Sequence, residues 1–325
     1  MAAPAPAQLA PATMLTFDRT VDRRLVHRAA VSEVFVTDTQ EVGEDHFTAA
    51  GQLPLCHGYY SDHTPGPALF DPLLIMEVCR QASTFGSHVH LGVPLEHAFL
   101  VNSWSLTIEN PDALLVGTGP GELLLDERVH RTTDRRGRLK ALRYDIVLHL
   151  GGVLAGTATI DVSVLPAPQY AALRHMQRST PPPLTVDFAP GERASLAEAG
   201  HVGRTSAENV VLADVRTTEH DVAARLDASL RNGGLFDHTY DHYPAMVLME
   251  AARQAAHLLD GAPLTALDST FTRFVELDAP VHLRAVREPD TGRIDAVFTQ
   301  DGNPVATVSL TTLAPLPTTT LATFA

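Results

Sequence analysis

The chain has 325 residues, 45% of them hydrophobic and 19% charged. That is a globular composition, long enough for about two domains and unlike a disordered tail or a coiled-coil rod. Its 24 Lys and Arg against 38 Asp and Glu leave a formal charge of −14, which repels phosphate backbones and argues against nucleic acid as a partner.

Residues 1–14 are rich in Ala and Pro and carry neither a positive start nor an apolar run, so a disordered leader is expected rather than a targeting signal. No later run approaches 18 apolar residues, so no membrane span is expected. Cys56 and Cys79 are too few for a disulfide framework and lack zinc-site spacing. A reducing, cytoplasmic setting follows, with no metal and no cofactor.

From Val26 the chain reads VHRAAVSEVFVTD, and from Val202 it reads VGRTSAENVVLAD, about 176 residues later. From Asp62 it reads DHTPGPALFDPLLIMEVCRQAS, echoed from Asp237 by DHTYDHYPAMVLMEAARQAA. Such self-similarity marks a duplication. Asp71 before Pro72 is a capped helix start, and the first helix is expected to run to about Leu91; the second is expected from about Pro244 to Leu259, stopping at Gly261. After the first helix, AFLVNSWSLTIE, GELLLDERVHRTT, LKALRYDIVLHL and a run from Gly151 alternate as strands; DGNPVATVSLTT from Asp301 matches the last of these. Pro clusters mark residues 179–192 as a linker. The repeats are therefore placed at 15–178 and 193–325, each an α+β unit of one long helix on an antiparallel sheet.

Glu77, Arg80 and Gln81 fall at i, i+3 and i+4 on the first helix, and Glu250, Arg253 and Gln254 repeat the pattern on the second. Such spacing usually means an ordinary surface ion pair. Here each glutamate follows a wholly apolar run, where a carboxylate is costly unless paired. Its retention in both copies points to function.

These residues carry a resemblance. The H-T-P-G, D-P-L-L-I-M-E and R-Q-A order resembles the hotdog-fold hydroxyacyl carrier-protein dehydratases, with His63 on their catalytic histidine and Glu77 on their catalytic acid. The fuller set LVHR, SEVFVTD, QLPLCHGYYSDH, DPLLIMEVCRQA and DHYPAMVLMEAARQAA is similar to the A-factor synthase family. The resemblance implies a tandem double hotdog. It also implies transfer of a β-ketoacyl group from an acyl carrier protein or CoA thioester to the hydroxyl of dihydroxyacetone phosphate, on the way to γ-butyrolactone, butenolide or furan signals. It pairs His63 with Glu250 and His238 with Glu77 across the repeats.

At the position where dehydratases offer a glycine N–H to the thioester carbonyl, this chain has Pro72 and Ala245. Pro72 has no N–H, whereas Ala245 keeps one, so an oxyanion site is easier to build at the second helix. His238 to Glu250 spans 12 residues against 14 from His63 to Glu77, which makes His242 a competitor for His238. Glu250 is the first choice for general base, then Glu77; Arg253, then Arg80, suits the acceptor phosphate. Gln254 and Gln81 complete the substrate-binding set.

Cys79 reads as a core residue and His57 as a loop hydrogen-bonding residue. Lys140 lies in a basic turn with Arg131, Arg135, Arg136, Arg138 and Arg143, either a solvated hairpin or a docking patch for an acidic carrier protein. The alternative functions are a dehydratase or thioesterase on acyl thioesters, or a non-catalytic acyl-ligand sensor.

Overall fold

The computed structural model describes residues 15–63, 68–189, 193 and 195–313. The expected leader and the Thr64-Pro65-Gly66 part of the first motif lie outside the described residues. The first repeat contributes strands β1 (Val36–Gly43) and β2 (His46–Leu53), helix α1 (Pro72–Val89), and strands β3 (Ala98–Ile108), β4 (Gly121–Thr133), β5 (Leu139–Leu150) and β6 (Val153–Leu165). Helix α2 (Ala167–Gln177) follows. The second repeat contributes β7 (Leu212–Thr217), β8 (Asp221–Leu226), α3 (Ala245–Asp260), β9 (Leu264–Phe271), β10 (Val281–Arg287), β11 (Ile294–Gln300) and β12 (Asn303–Thr312).

All twelve strands form one sheet in the order β1-β2-β4-β5-β6-β3-β9-β12-β11-β10-β8-β7. Each half has the same internal order, and the halves meet where β3 pairs antiparallel with β9, Trp104 opposite Ser269 and Leu106 opposite Leu267. The duplication is thus a duplication of topology. Its central seam lets one sheet run across both repeats.

Each helix is wrapped by its own half of the sheet. The run Leu73 to Cys79 on α1 and the run Met246 to Ala252 on α3 are buried on every face, Glu77 and Glu250 included. A side chain of Leu or Ile size buried this way stabilises by about 1.5–3 kcal/mol. The backbones approach closely: a Cβ at Gly86 of α1 would collide with the Phe47 ring of β2, and one at Gly51 would strike Val78.

Helix ends follow the local chemistry. The Asp71 carboxylate accepts from Leu73 N–H, with Pro72 at the first helical position. α3 ends at Gly261 in the left-handed conformation (φ 66°). It begins after Pro244, with no side-chain cap.

The segment joining the repeats is bound to the second one. Arg174 of α2, 4% exposed, donates to Asp241 (3.0 Å) and to both carboxylate oxygens of Glu276 (2.8 and 2.9 Å). Further on, Thr185 N–H donates to Tyr240 C=O at 2.8 Å. Among the described residues, no helix is long and apolar enough to cross a membrane.

Candidate functional site

Each buried glutamate anchors a network that the repeats share. Glu77 accepts from Arg28 Nε (3.1 Å), from Arg80 Nε and Nη2 (2.8 Å each) and from Gln81 Nε2 (2.7 Å). Gln81 also donates to Glu33 C=O and accepts from Phe35 N–H. In the second repeat Glu250 accepts from Arg204 Nε (2.9 Å), Gln254 Nε2 (2.5 Å), Tyr59 OH (3.0 Å) and Arg253 Nη2. Gln254 donates to Asn209 C=O and accepts from Val211 N–H. Arg28 and Arg204 were missed by the sequence reading, although they stand at the same place in VHR and VGR, the upstream repeat.

Burial by itself would raise both glutamates, but the arginines outweigh it. Arg28 and Arg80 hold Glu77 down to about 2, and Arg204 and Arg253 hold Glu250 below the usual carboxylate range. Every lone-pair direction of Glu250 is taken by a donor, so it has no seat for a proton from substrate. This differs from the expectation that Glu250 is the base. The carboxylate that looked chemically poised in the sequence is a buried counter-ion for two arginines.

The aspartate of each DHT motif clasps the opposite repeat. Asp237 accepts from the N–H of Ala29 (2.5 Å) and Ala30 (3.0 Å), just after Arg28. Asp62 accepts from the N–H of Thr205 and Ser206, just after Arg204, and from Asn209 Nδ2 (2.7 Å). The histidine that follows each aspartate is thereby delivered to the other repeat's helix, and two pseudo-equivalent pockets result.

The first pocket, about 480 Å³, is lined by His63, Asp71, Pro72, Arg204 and Arg253 together with apolar groups such as Phe70 and Leu114. His63 Nε2 lies 3.5 Å from Asp71 Oδ2. Burial, opposed by Asp71 and aided by Arg253 and Arg204, lowers its pKa. Arg253 divides its guanidinium between Glu250 and Asp71, the latter at 2.9 Å from Nη1. Pro72 has no N–H, Leu73 N–H is held by the Asp71 carboxylate and Ile75 N–H by Asp71 C=O, which leaves Leu74 N–H as the one first-turn donor of α1 without an acceptor among the described residues.

The second pocket, about 210 Å³, is lined by Arg28, Glu77, Arg80, His238, His242, Ala245 and Met246, among others. His238 stacks on Tyr240, ring centroids 4.1 Å apart. Burial first, then Arg28 and Arg80, lower its pKa below the ordinary histidine value, against Asp237. His242 Nδ1 lies 2.5 Å from Asp241 Oδ1, and Asp241 is braced by Tyr170 and Arg174 from α2. At the uncapped start of α3, the N–H groups of Ala245 and Met246 have no acceptor among the described residues. Neither does Nη1 of Arg80.

The pockets differ in charge. The ion cluster of the first pairs Glu250 and Asp71 with Arg204 and Arg253, whereas that of the second sets Glu77 alone against Arg28 and Arg80. Asp62 and Asp237 add one negative charge to each side and leave the difference intact. Ala245 and Glu250, joined in the sequence reading as oxyanion donor and base, serve different pockets, because each helix start faces the polar side chains of the other helix.

Other expectations have plain positions. Cys79 is fully buried and its thiol is pushed far up by burial. His57 accepts from Tyr59 and Tyr60 N–H and meets Glu33 at 3.2 Å, a loop-holding role. Among the described residues no group of three or more His, Cys, Asp or Glu side chains could hold a metal ion.

Two sheet-wrapped helices on one continuous sheet, with paired pockets between repeats, define a double-hotdog protein. The chain belongs to the A-factor biosynthesis hotdog domain family, whose profile matches residues 9–166 and 189–315. It is 36% identical over 272 residues to a 2-oxo-3-(phosphooxy)propyl 3-oxoalkanoate synthase of Streptomyces virginiae, covering 82% of this chain and 87% of the relative. A synthase of the same description from Streptomyces griseus is 30% identical over 294 residues, 86% of this chain and 91% of the relative. The fold is also that of the dehydratase domain from the CurK module of curacin polyketide synthase, with a TM-score of 0.50 at 9% identity over 87% of this chain and 97% of that one.

Proposed function

We propose that this protein transfers a 3-oxoacyl group from a thioester to the free hydroxyl of dihydroxyacetone phosphate, releasing thiol and forming a 2-oxo-3-(phosphooxy)propyl 3-oxoalkanoate. The synthase activity of the relatives supports the reaction. The second pocket supports its location, and one observation there carries most of the weight: His238, two N–H groups at the start of α3 and Arg80 Nη1, the last two without an acceptor among the described residues, converge on one cavity.

In this reading Arg80 Nη1 takes the acceptor phosphate, a charge-assisted contact in a pocket whose ion cluster has one carboxylate fewer than that of the first. His238 accepts the hydroxyl proton as that oxygen attacks the thioester carbonyl. The tetrahedral oxyanion sits against the N–H groups of Ala245 and Met246, at the positive end of α3. Collapse breaks the carbon–sulfur bond, and the proton on His238 passes to the departing thiolate. Glu77 holds Arg80 and Arg28 in place and does not itself take a proton.

An acyl carrier protein is the proposed donor. The turn between β4 and β5 bears Arg135 and Arg136, both exposed and outside every ion pair among the described residues, whereas Arg138 is tied to Asp134 and Arg131 to Asp45. Val101 and Leu142 both pair with Val162 at this end of the sheet, and Val101 and Val162 line the second pocket. A basic tip in an otherwise acidic chain at that end suits an acidic carrier.

The direct test is incubation of purified protein with a 3-oxoacyl thioester, with and without dihydroxyacetone phosphate, followed by thiol assay and mass spectrometry. Thiol release that requires the acceptor, with a phosphorylated ester or its cyclised form as product, is expected. Equal release without acceptor identifies a thioesterase, and loss of water from a 3-hydroxyacyl thioester identifies a dehydratase; either overturns the proposal.

A further inference from the structure

The second pocket has polar lining residues that the transfer chemistry does not use. Ser83, Thr84, Ser87, Tyr144 and Trp104 line it along with apolar Phe99, Val101, Ile160 and Val162. Most of these polar groups are partnered: Thr84 donates to Arg80 C=O, Ser83 to buried Glu127, and Ser87 and Tyr144 share a hydrogen bond. Trp104 is the exception. Its side chain is 3% exposed, yet its indole Nε1–H has no acceptor among the described residues.

An indole N–H can only donate, and one left buried without an acceptor is destabilising. A phenylalanine would fill the same apolar place with no such penalty. Trp104 sits on β3 at the seam with β9, opposite Ser269, whose Oγ lies 4.0 Å from Met249 Sδ. Met249 is one helical turn beyond Ala245, about 6 Å along α3. Trp104 lines the same pocket as Ala245 and Met246 at the start of α3.

We propose that Trp104 Nε1–H is the donor that recognises the 3-oxo oxygen of the acyl chain, making Trp104 a specificity-determining residue for 3-oxoacyl over saturated acyl donors. This rests on the proposed transfer reaction and names the subsite that reads its donor. A site that hydrogen-bonds a substrate group discriminates against the analogue lacking it, because the buried donor then stays unpaired. The saturated chain fits the same space but leaves Nε1–H without a partner.

Trp104 is the only tryptophan in the chain, so its fluorescence reports on this subsite alone. Wild-type protein is titrated with two thioether analogues that cannot transfer, one 3-oxoacyl and one saturated, of equal chain length. The 3-oxoacyl analogue should shift the emission and bind about 10- to 100-fold more tightly. In parallel, kcat/KM is measured for both thioester donors with dihydroxyacetone phosphate in wild type and Trp104→Phe. The variant should lose about 10- to 100-fold with the 3-oxoacyl donor and little with the saturated one. Equal losses for both donors, or equal affinity and emission change for both analogues, would overturn the assignment. If wild type transfers neither donor while the emission still separates the two analogues, the subsite stands and the transfer reaction falls.

Discussion

Asp71 Oδ2 lies 2.9 Å from Arg253 Nη1, a contact between residues 182 positions apart. The same carboxylate accepts from Leu73 N–H, so it serves the start of α1 and one arm of the arginine at the same time. Pro244 stands at the corresponding place before α3, and no carboxylate there reaches Arg80. The pairs Asp71/Pro244 and Pro72/Ala245 thus give the two helix starts different donors and leave the ion cluster of the second pocket with one carboxylate fewer than that of the first.

The phosphate clamp should therefore be Arg80. Arg80→Lys keeps the charge and loses the fork, so the KM for dihydroxyacetone phosphate should rise by about tenfold or more while that for the thioester changes little. Arg253→Lys should leave phosphate selectivity intact. Steady-state kinetics with dihydroxyacetone phosphate and dihydroxyacetone as rival acceptors checks both, and selectivity lost only in Arg253→Lys would return the clamp to the first pocket.

Base assignment predicts a matching asymmetry. His238→Ala should lower kcat by about 10²–10⁴-fold in single-turnover assays, and His63→Ala far less. If His242→Ala carries the large loss and His238→Ala does not, the Asp241–His242 pair is the base.

Glu250→Gln and Glu77→Gln should each cost about 3–5 kcal/mol in denaturant unfolding, since Arg204 or Arg28 would be left buried without its counter-charge. Where Glu250→Gln remains folded, kcat should stay near wild type; a loss of about 10²-fold there would restore Glu250 as the base. The pH sign follows from the folded value of Glu77, about 2, against an ordinary 4.5. Its stabilisation is fully present above 4.5 and disappears as pH falls through 2, so wild type should weaken over that window and Glu77→Gln should not show this component.

Glu127 works the other way. Buried on β4, with Ser83 Oγ its one donor among the described residues, its carboxyl is pushed by burial up to about 8 from 4.5. The folded state then holds a proton that the unfolded chain releases, so stability falls as pH rises from 4.5 to 8. Glu127→Gln removes that proton cost and should raise Tm, with a gain near zero at pH 4.5 that grows to about 2–4 kcal/mol at pH 8. A pH-independent effect in thermal melts would contradict this.

Arg135→Glu with Arg136→Glu should raise the KM for a carrier-protein-bound donor and leave that for an uncharged N-acetylcysteamine thioester unchanged, because only the carrier presents an acidic surface to the turn. The wild-type preference for the carrier should fade as salt is raised. Identical KM changes for both donors would dissociate the turn from docking.

Periodicity and local chemistry were enough to reveal the duplication, the two apolar helices with their caps at Asp71 and Gly261, the long strands after α1, and the Glu–Arg–Gln faces. All of these depend on neighbours within a turn or on alternation along a strand, which a single chain displays openly. The upstream Arg28 and Arg204 were also present in the repeat, but nothing local showed that they point at Glu77 and Glu250. Which carboxylates surround each arginine, which pocket each helix start faces, and which helix start meets which histidine depend on the packing of one repeat against the other. Asp237 reaches Ala29 and Asp71 reaches Arg253 across roughly half the chain, so those pairings exist only once the strands at Trp104 and Ser269 have joined the two halves. A buried charge takes its character from every partner around it, and that shell is assembled by tertiary structure.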